Sequence, residues 1–277
     1  YDARISIEVN HRGRWTFPRF LDGKNPIGPS PITAPSEEWN AAREHRKPVR
    51  VTEMDQDLID MAIDSYVAAV GRCLTAGFDL VMIHGGHGHL IGQFASPFAN
   101  HRSDKYGGSP ENRRKYPLEV LKAVREAVGN DMVIELRVSA TEGIPGGLEF
   151  EESLAFMELA QEYVDIMHVS QGSIFHLSAR YTIPTYFREP HKPLNIGYSE
   201  IVRQRLHIPV AVVGMITTLE EAEEIIASGK ADIVAMAKSF MADGDIVHKS
   251  LAGEADRVRP CTRCDLCGNA NTWGTSM

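Results

Sequence analysis

Gly77-Phe78-Asp79-Leu80-Val81-Met82-Ile83-His84-Gly85-Gly86-His87-Gly88-His89-Leu90 is the stretch that decides the fold. Leu80 to Ile83 is a short apolar run bounded by turn residues, the pattern of a strand covered on both faces of a parallel sheet. It empties into a loop of three histidines and three glycines. In parallel α/β folds the C-terminal strand ends form the ligand-facing rim. Glycines there would let the backbone approach a flat or phosphorylated ligand, and imidazoles could donate hydrogen bonds or protons near neutral pH. Solvated histidines in a glycine-rich loop are the bland alternative. The strand ahead of them favours function.

Outward from this stretch the same grammar recurs. Strand patterns cover Ile5 to Val9, Met132 to Val138, Asp165 to Val169, Pro209 to Val213 and Ala231 to Ala235. Helical patterns cover Asp55–Ala76, Pro110–Val128, Glu149–Tyr163, Ser199–Leu206, Leu219–Ala227 and Asp243–Ala252. Strands alternating with helices specify an α/β fold with a parallel sheet. A closed (β/α)8 TIM barrel needs eight such units in roughly 250 residues; six are present. Because the chain runs from Tyr1 almost directly into a strand pattern, the expectation is a barrel lacking its first two βα units. The absence of Gly-x-Gly-x-x-Gly after the first strand disfavours a dinucleotide-binding doubly wound sheet. Two long loops, residues 15–52 and 170–198, are expected to pass over a site and shape its pocket.

The chain has 277 residues, 43% hydrophobic and 24% charged, as soluble globular proteins do. A net charge of −8 with 29 basic residues leaves no footprint for nucleic acid or an anionic membrane. No apolar run reaches the ~18 residues that span a bilayer. Of four cysteines, three fall within seven residues, which argues for a metal site in a reducing compartment, hence the cytoplasm. Assembly is left open, a homo-oligomer included.

Several positions carry chemistry. Arg137 sits inside the apolar strand Val133-Ile134-Glu135-Leu136-Arg137-Val138. A buried arginine needs a partner, either a bound anion, an electron-rich ring nitrogen, or a carboxylate such as Glu135 or Glu8. Gly214 and Met215, then Ala237 and Lys238, follow the last two strands, whose loops in barrels often hold phosphate on backbone amides. Lys238 is read as the counter-charge, with a solvated surface lysine as the alternative. Cys261-Thr262-Arg263-Cys264-Asp265-Leu266-Cys267 is Cys-x2-Cys-x2-Cys, a spacing that favours iron–sulfur ligation over zinc or free thiols. Cys73 is read as a buried helix thiol.

Together these stretches resemble the old yellow enzyme family of flavin-dependent ene-reductases. The closer likeness is to its iron–sulfur branch, which includes 2,4-dienoyl-CoA reductase, trimethylamine dehydrogenase and the clostridial bile-acid-inducible flavoproteins. It is carried by His84-Gly-Gly-His87-Gly-His89-Leu90, by Asn100-His-Arg-Ser-Asp-Lys-Tyr-Gly-Gly-Ser109 with Glu111-Asn112-Arg113, and by the cysteine triplet. The resemblance implies a (β/α)8 barrel holding FMN at its rim over residues 1–255, comprising strands 3 to 8. It also implies the truncated start of a 4Fe-4S segment over residues 256–277, whose fourth cysteine would follow Met277. NAD(P)H and FAD would enter through a further module, so the chain looks like the central part of a longer polypeptide.

Position by position, the resemblance places Glu8 where many members have a glutamine at the flavin pyrimidine edge, and Arg137 beside flavin N1 and O2. Gly214, Met215, Ala237 and Lys238 fall on the phosphate loops, with Lys238 replacing an arginine and losing its bidentate fork. His84 and His87 fall on the pair that binds a substrate carbonyl oxygen. His89 stands where classical members have a proton-donating tyrosine, and His176 aligns with an active-site histidine of the dienoyl-CoA reductases, so two candidate acids remain. Cys261, Cys264 and Cys267 are the implied cluster ligands. The implied activity is NAD(P)H-dependent reduction of an activated C=C bond in a small unsaturated carbonyl or enoyl-type substrate, through FMN and a 4Fe-4S cluster. An amine dehydrogenase of the trimethylamine dehydrogenase type and a non-catalytic ligand-binding barrel are the alternatives. Substrate identity and the choice between NADH and NADPH are not encoded legibly.

Overall fold

The structure, a computed structural model, describes residues 3–16, 20–173, 194–264 and 267. In chain order its strands are β1 (Ser6–Val9), β2 (Ile27–Gly28), β3 (Thr52–Glu53), β4 (Leu80–His84), β5 (Val133–Ser139), β6 (Ile166–Ser170), β7 (Val210–Val213) and β8 (Ile233–Ala235). Its helices are α1 (Pro35–Arg43), α2 (Gln56–Thr75), α3 (Leu90–Ala95), α4 (Pro110–Arg113), α5 (Lys115–Val128), α6 (Phe150–Ala160), α7 (Ile196–Arg205), α8 (Leu219–Ala227), α9 (Ala237–Ala242) and α10 (Ile246–Leu251). Six strands pair in parallel in the order β1-β4-β5-β6-β7-β8 and curl into a half-barrel. The expected partial (β/α)8 barrel is what forms.

The strands owe their placement to a two-faced alternation. On β5, Ile134, Leu136 and Val138 are at most 2% exposed and face the helices. Glu135, Arg137 and Ser139, at the intervening positions, take the other face. Pairing aligns Arg137 with His84 on one side and His168 on the other, and Ser139 with Ser170. The barrel interior is thus polar, while Val81, Ile83, Met167, Val169 and Val210 belong to the outer apolar core. Helices α2 and α5 cover that core through Ile59, Tyr66, Val70, Val120, Leu121 and Val124. Cys73 lies in it, 8% exposed, as an ordinary buried thiol. A second cluster of Val212, Ile216, Ile225 and Met236 fastens α8 to β7 and the end of β8.

Local signals set the helix ends. The Asp55 carboxylate accepts the Leu58 amide at 2.9 Å to start α2, and Thr218 with Glu221 forms a capping box on α8. Three expectations need correction, and two short helices went unread. Pro110–Val128 is two helices, because Arg114 closes α4 and opens α5. Residues 15–52 hold α1 and, with Thr52–Glu53, the small β2–β3 ladder. The six-residue α3 directly follows the histidine loop. The last expected helix starts only at Ile246, because the Asp243 carboxylate accepts the Asp245 and Arg259 amides and holds a turn there; α9 precedes it unread. Among the described residues, no helix is long and apolar enough to cross a membrane.

Candidate active site

The loop after β4 is built by close packing against β5. A Cβ on Gly86 would come within 2.7 Å of the Ser139 amide nitrogen, and one on Gly92 within 2.9 Å of the Gly85 carbonyl. Gly86, in the loop, and Gly92, in α3, therefore answer to neighbouring backbone. His87 is held in a left-handed conformation (φ 54°), and its amide donates to Ser139 Oγ at 2.9 Å.

This geometry brings Glu8, His84 and His87 into one chain. His84 Nδ1 lies 2.8 Å from Glu8 Oε1, His84 Nε2 lies 2.7 Å from His87 Nδ1, and His87 Nε2 lies 2.8 Å from Ser170 Oγ. A carboxylate only accepts, so His84 Nδ1 carries a proton. With both rings neutral, the hydrogens have one arrangement: Ser170 donates to His87, His87 to His84, and His84 to Glu8. The His84 hydrogen bond, backed by Arg137, pulls the Glu8 pKa down to about 2 against its burial. Burial, then the nearby Arg137 charge, holds His87 well below the usual imidazole range. All four ring nitrogens of the pair are engaged within the protein.

His89 differs. Its ring lies 4.1 Å from that of His84, centroid to centroid, tilted by 44°, and its Nδ1 is buried with no hydrogen-bond partner among the described residues. Burial above all lowers its pKa to about 3, so at neutral pH it is a neutral imidazole. His176 lies outside the described residues.

Arg137 stands at the centre of the interior. Its Nη1 is 3.9 Å from Glu8 Oε2. Glu135, its other candidate partner, is committed elsewhere: its Oε1 lies 2.6 Å from His168 Nδ1. Sequence reasoning missed His168 and Ser170. The signal was present in the period-two alternation of polar residues on β5 and β6, which puts Glu135, Arg137 and Ser139 on the face shared by His168 and Ser170.

From Arg137 a cavity of about 240 Å³ runs to the ends of β7 and β8, lined by Gly214, Met215, Ala237, Lys238 and Cys261 among others. Gly214 has φ 137°, and a Cβ there would meet Asn195 Nδ2 and Leu194 Cβ at 2.9 Å. Lys238 is half-buried in the cavity wall, which separates it from an ordinary surface lysine. Cys261 and Cys267 are half-buried and Cys264 is exposed. Among the described residues no three potential ligands gather around one point.

A parallel half-barrel with a polar interior and a cavity across its C-terminal strand ends defines a barrel enzyme scaffold. The chain belongs to the NADH:flavin oxidoreductase / NADH oxidase family, whose model matches residues 1–256. It is 36% identical to a NADH oxidase of Thermoanaerobacter brockii over 267 residues, which take in 96% of this chain and 39% of that protein. Histamine dehydrogenase from Rhizobium sp. 4-9 shares the fold with a TM-score of 0.81 and 27% identity, covering 98% of this chain and 38% of that one. Morphinone reductase in complex with tetrahydroNAD gives 0.69 and 25%, covering 92% and 67%. The likeness to the old yellow enzyme family is borne out by the family match and these neighbours. The chain spans about two fifths of the length of the first curated relatives it matches.

Proposed function

We propose that this chain holds FMN between Arg137 and Lys238 and takes part in NAD(P)H-driven reduction of an activated C=C bond in a small unsaturated substrate. The observation that carries the reading is the single cavity joining Arg137, Gly214, Met215, Ala237 and Lys238. Its chemistry fits the cofactor. Three cations line it: Arg137, suited to an electron-rich ring edge, Lys238, suited to a phosphate, and Arg263. FMN, when bound, would supply the atom that accepts and donates hydride.

The chain's own residues do the rest. Arg137 favours negative charge on the adjacent ring, an effect the Glu8 carboxylate 3.9 Å from its Nη1 partly offsets. The Glu8–His84–His87–Ser170 chain fixes the imidazoles, and a substrate carbonyl would reach His84 or His87 only by displacing one of these bonds. His89 is the imidazole left to meet a substrate oxygen or hold a proton. The triplet Cys261, Cys264 and Cys267 has the soft donors an iron–sulfur cluster takes. It offers no fourth ligand among the described residues.

Amine oxidation is the second reading, favoured by the likeness to histamine dehydrogenase. Against it, the described cavity wall has no aromatic residue to cage a cation. An anaerobic absorption spectrum of the full-length protein, repeated after NADH and then after a panel of enones and of amines, tests both. Flavin bands bleached by NADH and restored by an enone support C=C reduction. Bleaching by an amine alone transfers the reading to amine oxidation, and a colourless protein that takes up no FMN sinks both.

A further inference from the structure

We propose that Arg263 is a positioning residue for the cofactor's phosphate, latching the cysteine-bearing segment onto the loop that follows β7. The inference rests on the flavin reading of the cavity and adds to it a residue outside the strand-end loops. Arg263 Nη2 donates to the Met215 carbonyl at 3.2 Å and to Thr217 Oγ1 at 2.9 Å, and lies 3.8 Å from Glu221 Oε1. Its side chain is only 17% exposed, and it lines the same cavity as Gly214, Met215 and Lys238.

The loop it grips needs gripping. Gly214 and Met215 both have positive φ, at 137° and 58°, a conformation that costs free energy at a non-glycine residue and persists only when neighbours enforce it. Four contacts enforce it: the Leu194 amide to the Gly214 carbonyl at 2.9 Å, Asn195 Nδ2 to the Val213 carbonyl at 2.5 Å, Ser239 Oγ to the Ile216 carbonyl at 3.1 Å, and Arg263. Glu221 fixes the far end by accepting the Thr217 amide at 2.6 Å. Arg263 is itself left-handed (φ 57°), with its amide 3.4 Å from Cys261 Sγ. The backbone that presents the thiols is therefore the backbone that aims the guanidinium. With the Met215 carbonyl drawn toward Arg263, the amides of the loop are held in one orientation for an anion, and that preorganisation is what a phosphate would feel.

The test is a fluorescence-quenching titration of the full-length apoprotein with FMN and, separately, with riboflavin, which lacks the phosphate. Wild-type protein should bind FMN more tightly than riboflavin. Arg263→Ala should weaken FMN by about 10- to 100-fold, the scale of losing hydrogen bonds to a charged group, and leave riboflavin unchanged. Arg263→Lys should restore part of the difference. Thr217→Val, which removes one acceptor and keeps the arginine, should shift FMN the same way by less, and serves if Arg263→Ala fails to fold. An unchanged FMN-to-riboflavin ratio, or equal losses for both ligands, would overturn the latch while the flavin reading stands. Wild-type protein that binds the two alike would overturn the phosphate site and the latch with it, and protein that binds neither would overturn the flavin reading as well.

Discussion

His84 Nε2 lies 2.7 Å from His87 Nδ1, so the two rim imidazoles are bonded to each other and anchored at their outer ends by Glu8 and Ser170. The chain has one free choice, its direction, and the carboxylate makes it. Ser170→Ala would leave His87 Nε2 buried without its donor, at a cost of about 1–3 kcal/mol. Chemical denaturation should show that loss, and Ser170→Thr, which keeps the hydroxyl, should recover most of it. Equal stability of the alanine variant would mean the bond contributes nothing.

His89 and Glu8 give stability an acid dependence in two overlapping windows. His89 titrates near 3 in the folded protein instead of its ordinary 6.5. The unfolded chain therefore binds the proton first, and stability falls as pH drops from about 6.5 toward 3. Glu8 is lowered from 4.5 to about 2, so its contribution is present above about 4.5 and is lost as pH falls toward 2. Melting temperature followed from pH 8 down to 2 should decline through both windows. His89→Phe should make the upper decline shallower, with buried His87 and His168 still contributing there, and Glu8→Gln the lower; a variant that leaves its window unchanged would refute that assignment.

Glu135 and His168 form the other interior pair, 2.6 Å apart and nearly dry, at 12% and 4% side-chain exposure. Burial lowers the His168 pKa although Glu135 pulls it up, so the ring donates as a neutral imidazole. Glu135→Ala strands that donor and should cost about 1–3 kcal/mol, or roughly 2–4 °C of melting temperature per kcal/mol. Glu135→Gln keeps an acceptor and should lose less. A glutamine variant as damaged as the alanine one would mean the negative charge, and not the hydrogen bond, is what the site needs.

These pairs show where the sequence ran out. The outer faces of β4 to β7 are apolar in every strand, and that is why the parallel sheet was legible from single runs such as Leu80–Ile83. The candidate rim residues were legible too, because His84, Gly214 and Lys238 sit at or just past strand ends. Partner choice was not. Whether Glu135 serves Arg137 or His168 depends on the alignment of β5 with β6 and on side-chain reach, neither of which is local. Short elements escaped for another reason: α3 has only six residues, and α1 is buried in a proline-rich stretch whose composition says loop.

Glycines separate packing from permissiveness. Gly86→Ala would drive a methyl group to within 2.7 Å of the Ser139 amide nitrogen, with no flexible side chain to give way. Overpacking of this kind costs about 1–3 kcal/mol and should displace His87, whose amide bonds Ser139 Oγ. Gly71 lies within α2 with nothing within 4 Å of an added Cβ. Gly71→Ala should therefore stabilise by about 0.5–1 kcal/mol. Opposite signs in paired thermal melts are the expected outcome. A tolerated Gly86→Ala would show that the loop after β4 can move away from β5.

His89 carries the sharpest functional prediction. Its Nδ1 is buried and without a partner among the described residues, beside rings whose nitrogens are all engaged. In the proposed reductase, His89→Phe keeps the ring's bulk against His84 and removes the nitrogen. FMN affinity should stay within about twofold, because Arg137 and the loops after β7 and β8 are untouched. Turnover of an enone should fall by about 10²- to 10⁴-fold, the usual yield of a positioned acid or base. The pKa near 3 adds a condition: activity at pH 5–9 should show no ionisation belonging to free His89. Rapid-mixing kinetics would separate the steps, with flavin reduction by NADH unchanged and its reoxidation by the enone slowed. Unaltered reoxidation in His89→Phe, together with its collapse in His176→Phe, would move the proton to His176 and leave His89 a packing residue.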